Sequence, residues 1–127
     1  MKKIICLAAC LVFIGFAQTQ AQSPQKTQWK SFFTAPINDT AIFSFAKDTS
    51  NITNSKGAEI VRSVFQVSHD TVTIKDVSGE IACGEEVGVY TFTITKTTLK
   101  LMVVTDPCDG RANSLSGRVW ERTMNGK

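Results

Sequence analysis

From Val87 to Thr105 the chain reads VGVYTFTITKTTLKLMVVT, and apolar and polar residues alternate along it. Tyr90, Phe92 and Ile94 fall on one phase, with Thr91, Thr93 and Thr95 on the other. Beyond Lys96-Thr97, the residues Leu99, Leu101 and Val103 share a face opposite Lys100 and Met102. A period of two is the signature of a strand with one buried and one wet face. The tight Lys96-Thr97 connection predicts a hairpin, so the chain folds by pairing strands in antiparallel order. Tyr90, Phe92, Ile94, Leu99, Leu101 and Val103 are expected to share one core, and Thr91, Thr93 and Lys100 to face water.

The same pattern recurs upstream. Ala41, Phe43 and Phe45 line one face, as do Val61, Phe65 and Val67, and then Val72 and Ile74. Turn-forming residues separate these runs at short intervals: Asn38-Asp39, Asp48 to Asn51, Asn54 to Gly57, Ser68-His69-Asp70, Ser78-Gly79 and Gly84 to Gly88. Leucine is scarce after the first 21 residues, and no stretch repeats apolar residues at helical spacing. The expected strands are Trp29–Phe33, Thr40–Ala46, Ser50–Thr53, Ile60–Val67, Thr71–Lys75, Val87–Thr95, Thr98–Thr105 and Gly117–Thr123. Ile81 to Cys83 is a possible short ninth. Eight short strands with short connections predict an all-β fold, a small up-and-down antiparallel barrel. A two-sheet sandwich of the same strands is the competing arrangement.

The first 21 residues read differently. Met1-Lys2-Lys3 is followed by an apolar run from Ile4 to Phe16 and by small residues at Thr19 and Ala21. That is the layout of a secretory signal peptide cut after Ala21, and the run is too short to span a bilayer. Leu7-Ala8-Ala9-Cys10 resembles a lipoprotein cleavage box, but cutting there would leave Leu11 to Ile14 exposed at the new terminus. The expected organisation is a signal peptide over residues 1–21, a polar flexible tail over 22–28, and one barrel domain over 29–127. The mature chain is therefore exported, periplasmic or extracellular, and the leader has a bacterial character. Asn38-Asp39-Thr40 and Asn51-Ile52-Thr53 match the glycosylation acceptor pattern, but in such a host neither is expected to be modified.

Export gives the cysteines a meaning. Cys6 and Cys10 leave with the leader, and Cys83 and Cys108 remain as an even pair in an oxidising compartment, which predicts a disulfide. In an up-and-down barrel, connections alternate between the two ends. Cys83 lies in the fifth and Cys108 in the seventh, so both belong to the same mouth. The full chain carries 14 Lys and Arg against 11 Asp and Glu. Without Lys2 and Lys3 it is close to neutral. That balance offers nothing to nucleic acid, and no integral membrane segment is expected.

No catalytic constellation emerges. His69 is the single histidine and sits in a turn beside Ser68, where neighbours do not converge on a shared proton. Glu80, Glu85 and Glu86 read as solvated loop acids. The expectation is therefore no enzyme, no cofactor and no metal site. The richer cluster is Asp106-Pro107-Cys108-Asp109-Gly110-Arg111. Asp-Pro is a helix-start signal, with Asp106 as a cap and Pro107 in the first turn. Arg111 follows one turn later. Its two readings are an ion pair with Asp106 or Asp109, favoured by their closeness in sequence, and a contact to a ligand carboxylate. Trp29 and Trp120 are expected to plug a barrel end or line a pocket, with Arg118 or Arg122 over their rings.

Gly88-x-Tyr90, Leu99, Asp106-x-Cys108-x-x-Arg111, Leu115 and Trp120-x-Arg122 resemble the C-terminal half of small secreted bacterial lipocalin-like proteins. The resemblance covers Cys83 to Arg122. It implies a calycin-type barrel whose interior holds a small apolar molecule. Under that reading the site lies at the mouth bearing Cys83 and Cys108. The ligand tail would meet Phe43, Phe65, Tyr90 and Leu101, and an acidic head would meet Arg111. The alternative is a protein-interaction barrel, such as a secreted inhibitor, with a filled interior and an ordered tail.

Overall fold

A computed structural model of the chain describes residues 23–34 and 38–124; the expected signal peptide and Gln22 lie outside these residues. Eight strands form one closed antiparallel barrel in sequence order. They are β1 (Thr27–Phe33), β2 (Asp39–Phe45), β3 (Thr49–Thr53), β4 (Glu59–Ser68), β5 (Thr71–Gly79), β6 (Val87–Ile94), β7 (Thr98–Thr105) and β8 (Val119–Arg122). A short helix, α1 (Asp109–Leu115), joins β7 to β8. The closed barrel decides against the sandwich. Each expected strand is present, and Ile81 to Cys83 forms a turn rather than a ninth strand.

The alternation carries through to burial. Phe43, Phe45, Phe65, Val72, Ile74, Tyr90, Phe92, Leu99 and Leu101 join Trp29, Trp120, Ala41 and Leu115 in one core, with Ile94 packed against it. Aromatic rings dominate its middle. Phe43 stacks on Phe45 at 4.3 Å, and Phe45 meets Phe65 edge-on at 5.1 Å. Trp120 meets Phe43 edge-on at 5.2 Å. Offset and edge-on contacts of this kind match the ring quadrupoles and add to simple burial.

Val103 departs from expectation. It lies on the inward phase of β7, yet it is 41 % exposed. The reason is that β8 pairs with β7 only at Thr98, Leu99 and Lys100. Past Leu101 the strand has no strand neighbour on that side. Only the bridge from Leu101 to Ser116 and the bond from Val103 N–H to Ser116 Oγ (2.9 Å) continue the contact. An inward side chain there has no opposite wall.

The tail also differs from expectation. Thr27 and Gln28 open β1, paired with Phe45 and Ser44. Pro24 is fully buried, and Lys26 N–H donates to Ala46 O at 3.3 Å. Residues 23–28 therefore close the lower end rather than trail from it. Trp29 plugs that end: it is fully buried, its Nε1–H donates to Thr27 Oγ1 at 2.7 Å, and the Arg122 guanidinium lies 4.5 Å from its ring centre. Arg118 takes Phe33 rather than Trp120, at 3.6 Å.

At the opposite end lie the connections β1–β2, β3–β4, β5–β6 and β7–β8. Because β8 is short, α1 takes the place a longer strand would fill and covers this mouth. Leu115 and Arg111 are its buried residues. The helix starts two residues later than the Asp-Pro signal predicts. Cys108 occupies its N-cap position without a side-chain cap, and Asp106 is engaged elsewhere.

Candidate functional site: a capped cavity at the stapled mouth

The Cys83–Cys108 disulfide joins the β5–β6 connection to the start of α1, with a Cα–Cα distance of 6.0 Å. It holds the helix over the mouth. Beneath the helix lies a cavity of about 280 Å³. Phe43, Ile52, Val61, Ile74, Ile81 and Leu115 form its apolar walls, and Ser50, Ser63, Asp76, Arg111 and Ser114 supply polar atoms. The lower half of the barrel is filled by the aromatic core, so the cavity belongs to one end only.

The polar part of the wall is built around Arg111. Its Nε donates to Asp106 Oδ2 at 2.7 Å and its Nη2 donates to Asp106 Oδ1 at 2.9 Å, a two-pronged pair. Nη2 also donates to Glu86 O at 2.9 Å. On its other side Nη1 lies 3.3 Å from Asp76 Oδ1. Both carboxylates are buried, with side-chain exposures of 0 % for Asp106 and 4 % for Asp76. Each has further donors. Asp106 accepts from Tyr90 Oη–H and from Cys108 N–H. Asp76 accepts from Ser63 Oγ at 2.8 Å and from Cys83 N–H at 2.9 Å. Buried charges without such partners would not be tolerated.

These contacts set the protonation states. Burial would raise the Asp106 pKa, but hydrogen bonds from Arg111, Tyr90 and Cys108 outweigh it and hold the carboxyl below its ordinary value. Burial and the bond to Asp106 push the Tyr90 phenol up. For Arg111 burial works against the charge, yet Asp106 and Asp76 together raise its pKa further. At neutral pH the Asp106–Arg111 pair is therefore ionic and Tyr90 is a neutral donor.

Gly88 makes room for this network. A Cβ there would overlap the Asp106 carboxylate and lie 2.9 Å from Tyr90 Cε2. The spacing Gly88-x-Tyr90 thus has a physical basis. The glycine admits the carboxylate, and the tyrosine two residues on, with its side chain on the same face, donates to it.

Of the residues expected at the site, Phe43 and Arg111 line the cavity. Phe65, Tyr90 and Leu101 are in the packed core and are not part of the lining. Arg111 is held by its own loop, as the sequence favoured. Sequence reasoning overlooked Ser63 and Asp76. Asp76 carried a signal, since it continues the inward phase of Val72 and Ile74, and an acid on an inward phase demands a partner. Among the described residues no group of three or more His, Cys, Asp or Glu side chains is arranged to hold a metal, and no helix is long and apolar enough to cross a membrane.

Compared with protein-family models, with curated proteins and with solved structures, the chain shows no match. The fold and the cavity are therefore the basis for any functional reading.

Proposed function

We propose that this protein is an exported, lipocalin-like binding protein that takes a small apolar or amphipathic molecule into the cavity beneath α1, and that it is not an enzyme. The observation that carries the reading is the mostly apolar cavity of about 280 Å³ at one mouth, capped by a helix that a disulfide holds in place. Small-molecule sites have this composition, apolar walls with a few fixed polar groups. The volume lies at the lower end of such sites, so the ligand is small. Export to the periplasm or beyond is supported by the disulfide, which persists in oxidising compartments.

The test uses N-phenyl-1-naphthylamine, an uncharged fluorophore that brightens in apolar surroundings. Saturable brightening with one site per chain is the expected result. Ser114→Trp, which places an indole in the cavity from the helix side, should abolish it while the unfolding midpoint stays close to wild type. Equal brightening in both proteins, or none in wild type, would reject the cavity as a site. The protein-interaction barrel would then be the better reading, helped by the ordered Ser23–Lys26 segment.

A further inference from the structure

Resting on the cavity reading above, we infer that the ligand's polar end is an uncharged hydroxyl, bridging Arg111 Nη1 and Asp76, and not a carboxylate. The lipocalin-like reading of the sequence implies an acidic head near Arg111, and the geometry argues against it. Two buried carboxylates, Asp106 and Asp76, already face the single guanidinium. A third carboxylate in the same largely apolar pocket would meet two like charges and only one opposite charge, which is already saturated on its Asp106 side.

The guanidinium nevertheless has one donor group left over. Nη1 is buried and makes no hydrogen bond. Its distance of 3.3 Å to Asp76 Oδ1 is an ion contact without hydrogen-bond geometry. The Arg111 side chain is 6 % exposed and forms part of the cavity wall, as does Asp76. Asp76 accepts one hydrogen bond on each oxygen from protein donors, Ser63 Oγ and Cys83 N–H. A carboxylate has about four acceptor sites, so capacity remains.

A hydroxyl matches this pair of needs. Its oxygen accepts from Nη1 and its O–H donates to the Asp76 carboxylate. A carboxylate has no proton to give, an ammonium cannot accept from Nη1 and would sit beside the guanidinium charge, and an alkane satisfies neither group. Leaving a buried donor unpaired has a cost that a hydroxyl ligand removes. The apolar walls of Phe43, Ile52, Val61, Ile74 and Leu115 then surround a short hydrocarbon body. The ligand class is thus a small apolar alcohol.

Displacement of N-phenyl-1-naphthylamine by four probes of equal chain length provides the test: decane, 1-decanol, decanoate and decylammonium, all at pH 7. The expected order puts 1-decanol first, roughly tenfold or more tighter than decanoate. Asp76→Asn should narrow that gap by improving decanoate binding, because it removes one of the two opposing charges. Decanoate or decylammonium binding as tightly as 1-decanol to wild type would overturn the head-group assignment and leave the cavity reading standing. Equal binding of decane and 1-decanol would also overturn it. Failure of the fluorophore and all four probes to bind would reject both. If Asp76→Asn fails to fold, the wild-type order alone decides.

Discussion

The Asp106 carboxylate receives two hydrogen bonds from Arg111, at 2.7 and 2.9 Å, and the phenol of Tyr90 donates to it as well. Three parts of the barrel meet at this one group: the end of β7, the first turns of α1 and the middle of β6. Arg111 extends the link to β5 through Asp76. A helix of seven residues has little intrinsic stability, so its position over the mouth depends on this network and on the disulfide.

Removing one side of the buried pair should therefore be severe. Asp106→Ala leaves the guanidinium with a buried, under-compensated charge, and a loss of about 3–5 kcal/mol is expected. Urea unfolding measures it. A loss below about 1 kcal/mol would mean that the pair is solvated and behaves as a surface salt bridge.

Gly88→Ala introduces a methyl group where the Asp106 carboxylate sits. Overpacking of this sort costs about 1–3 kcal/mol. In the Asp106→Ala background the overlap with the carboxylate is gone and only the 2.9 Å approach to Tyr90 Cε2 remains, so the cost should shrink. A double-mutant cycle reads the difference, and simple additivity of the two changes would contradict the assigned clash.

Stability should fall at both ends of the pH range. The Asp106 pKa is lowered in the fold. Its contribution is present above the unfolded value of about 3.9 and is lost as pH falls through the folded value. The Tyr90 pKa is raised. Its contribution is complete below the unfolded value of about 10 and is lost as pH rises through the folded value. Tyr90 is the single tyrosine of the chain, so tyrosinate absorbance reports this group alone. The expected trace stays flat past pH 10 and rises only with unfolding, and an ordinary titration centred on 10 would place the phenol in water.

A chain beginning at Gln22 should contain no free thiol under denaturing, non-reducing conditions. Cys108→Ser should lower stability by about 3 kcal/mol, given a closed loop with a sequence separation of 25. It should also speed hydrogen exchange in α1 more than in β6, because the bond ties the helix start to the β5–β6 connection. Uniform acceleration across the barrel would show a purely global effect.

Phe92 and Val103 test the end of the β6–β7 hairpin. Phe92 is buried and Val103 is 41 % exposed. Phe92→Ala should cost about 3–5 kcal/mol, whereas Val103→Ala should stay within about 1 kcal/mol, in line with its exposure. Similar losses at the two positions would restore Val103 to the core.

What the sequence determined by itself was the repeating part of this protein. Period two is a local property of an extended backbone, and the turn residues that end each run act over a few positions. Tyr90, Phe92, Leu99 and Leu101 could therefore be assigned to the core from the pattern alone, and the alternation of connections was enough to bring Cys83 and Cys108 to one mouth. The tertiary structure decided everything that depended on where the pattern stops. Val103 keeps the inward phase and is still exposed, because β8 is too short to wall it in. Thr27 and Gln28 look like the end of a tail and are strand, because β2 offers them partners. Asp106 carries a helix-cap signal and instead binds Arg111 and Tyr90, since a carboxylate beside a buried guanidinium gains more there than at a helix start. Asp76 reaches Arg111 across 35 positions of sequence, and charge pairing at that range is set by the closure of the barrel, which no local window contains.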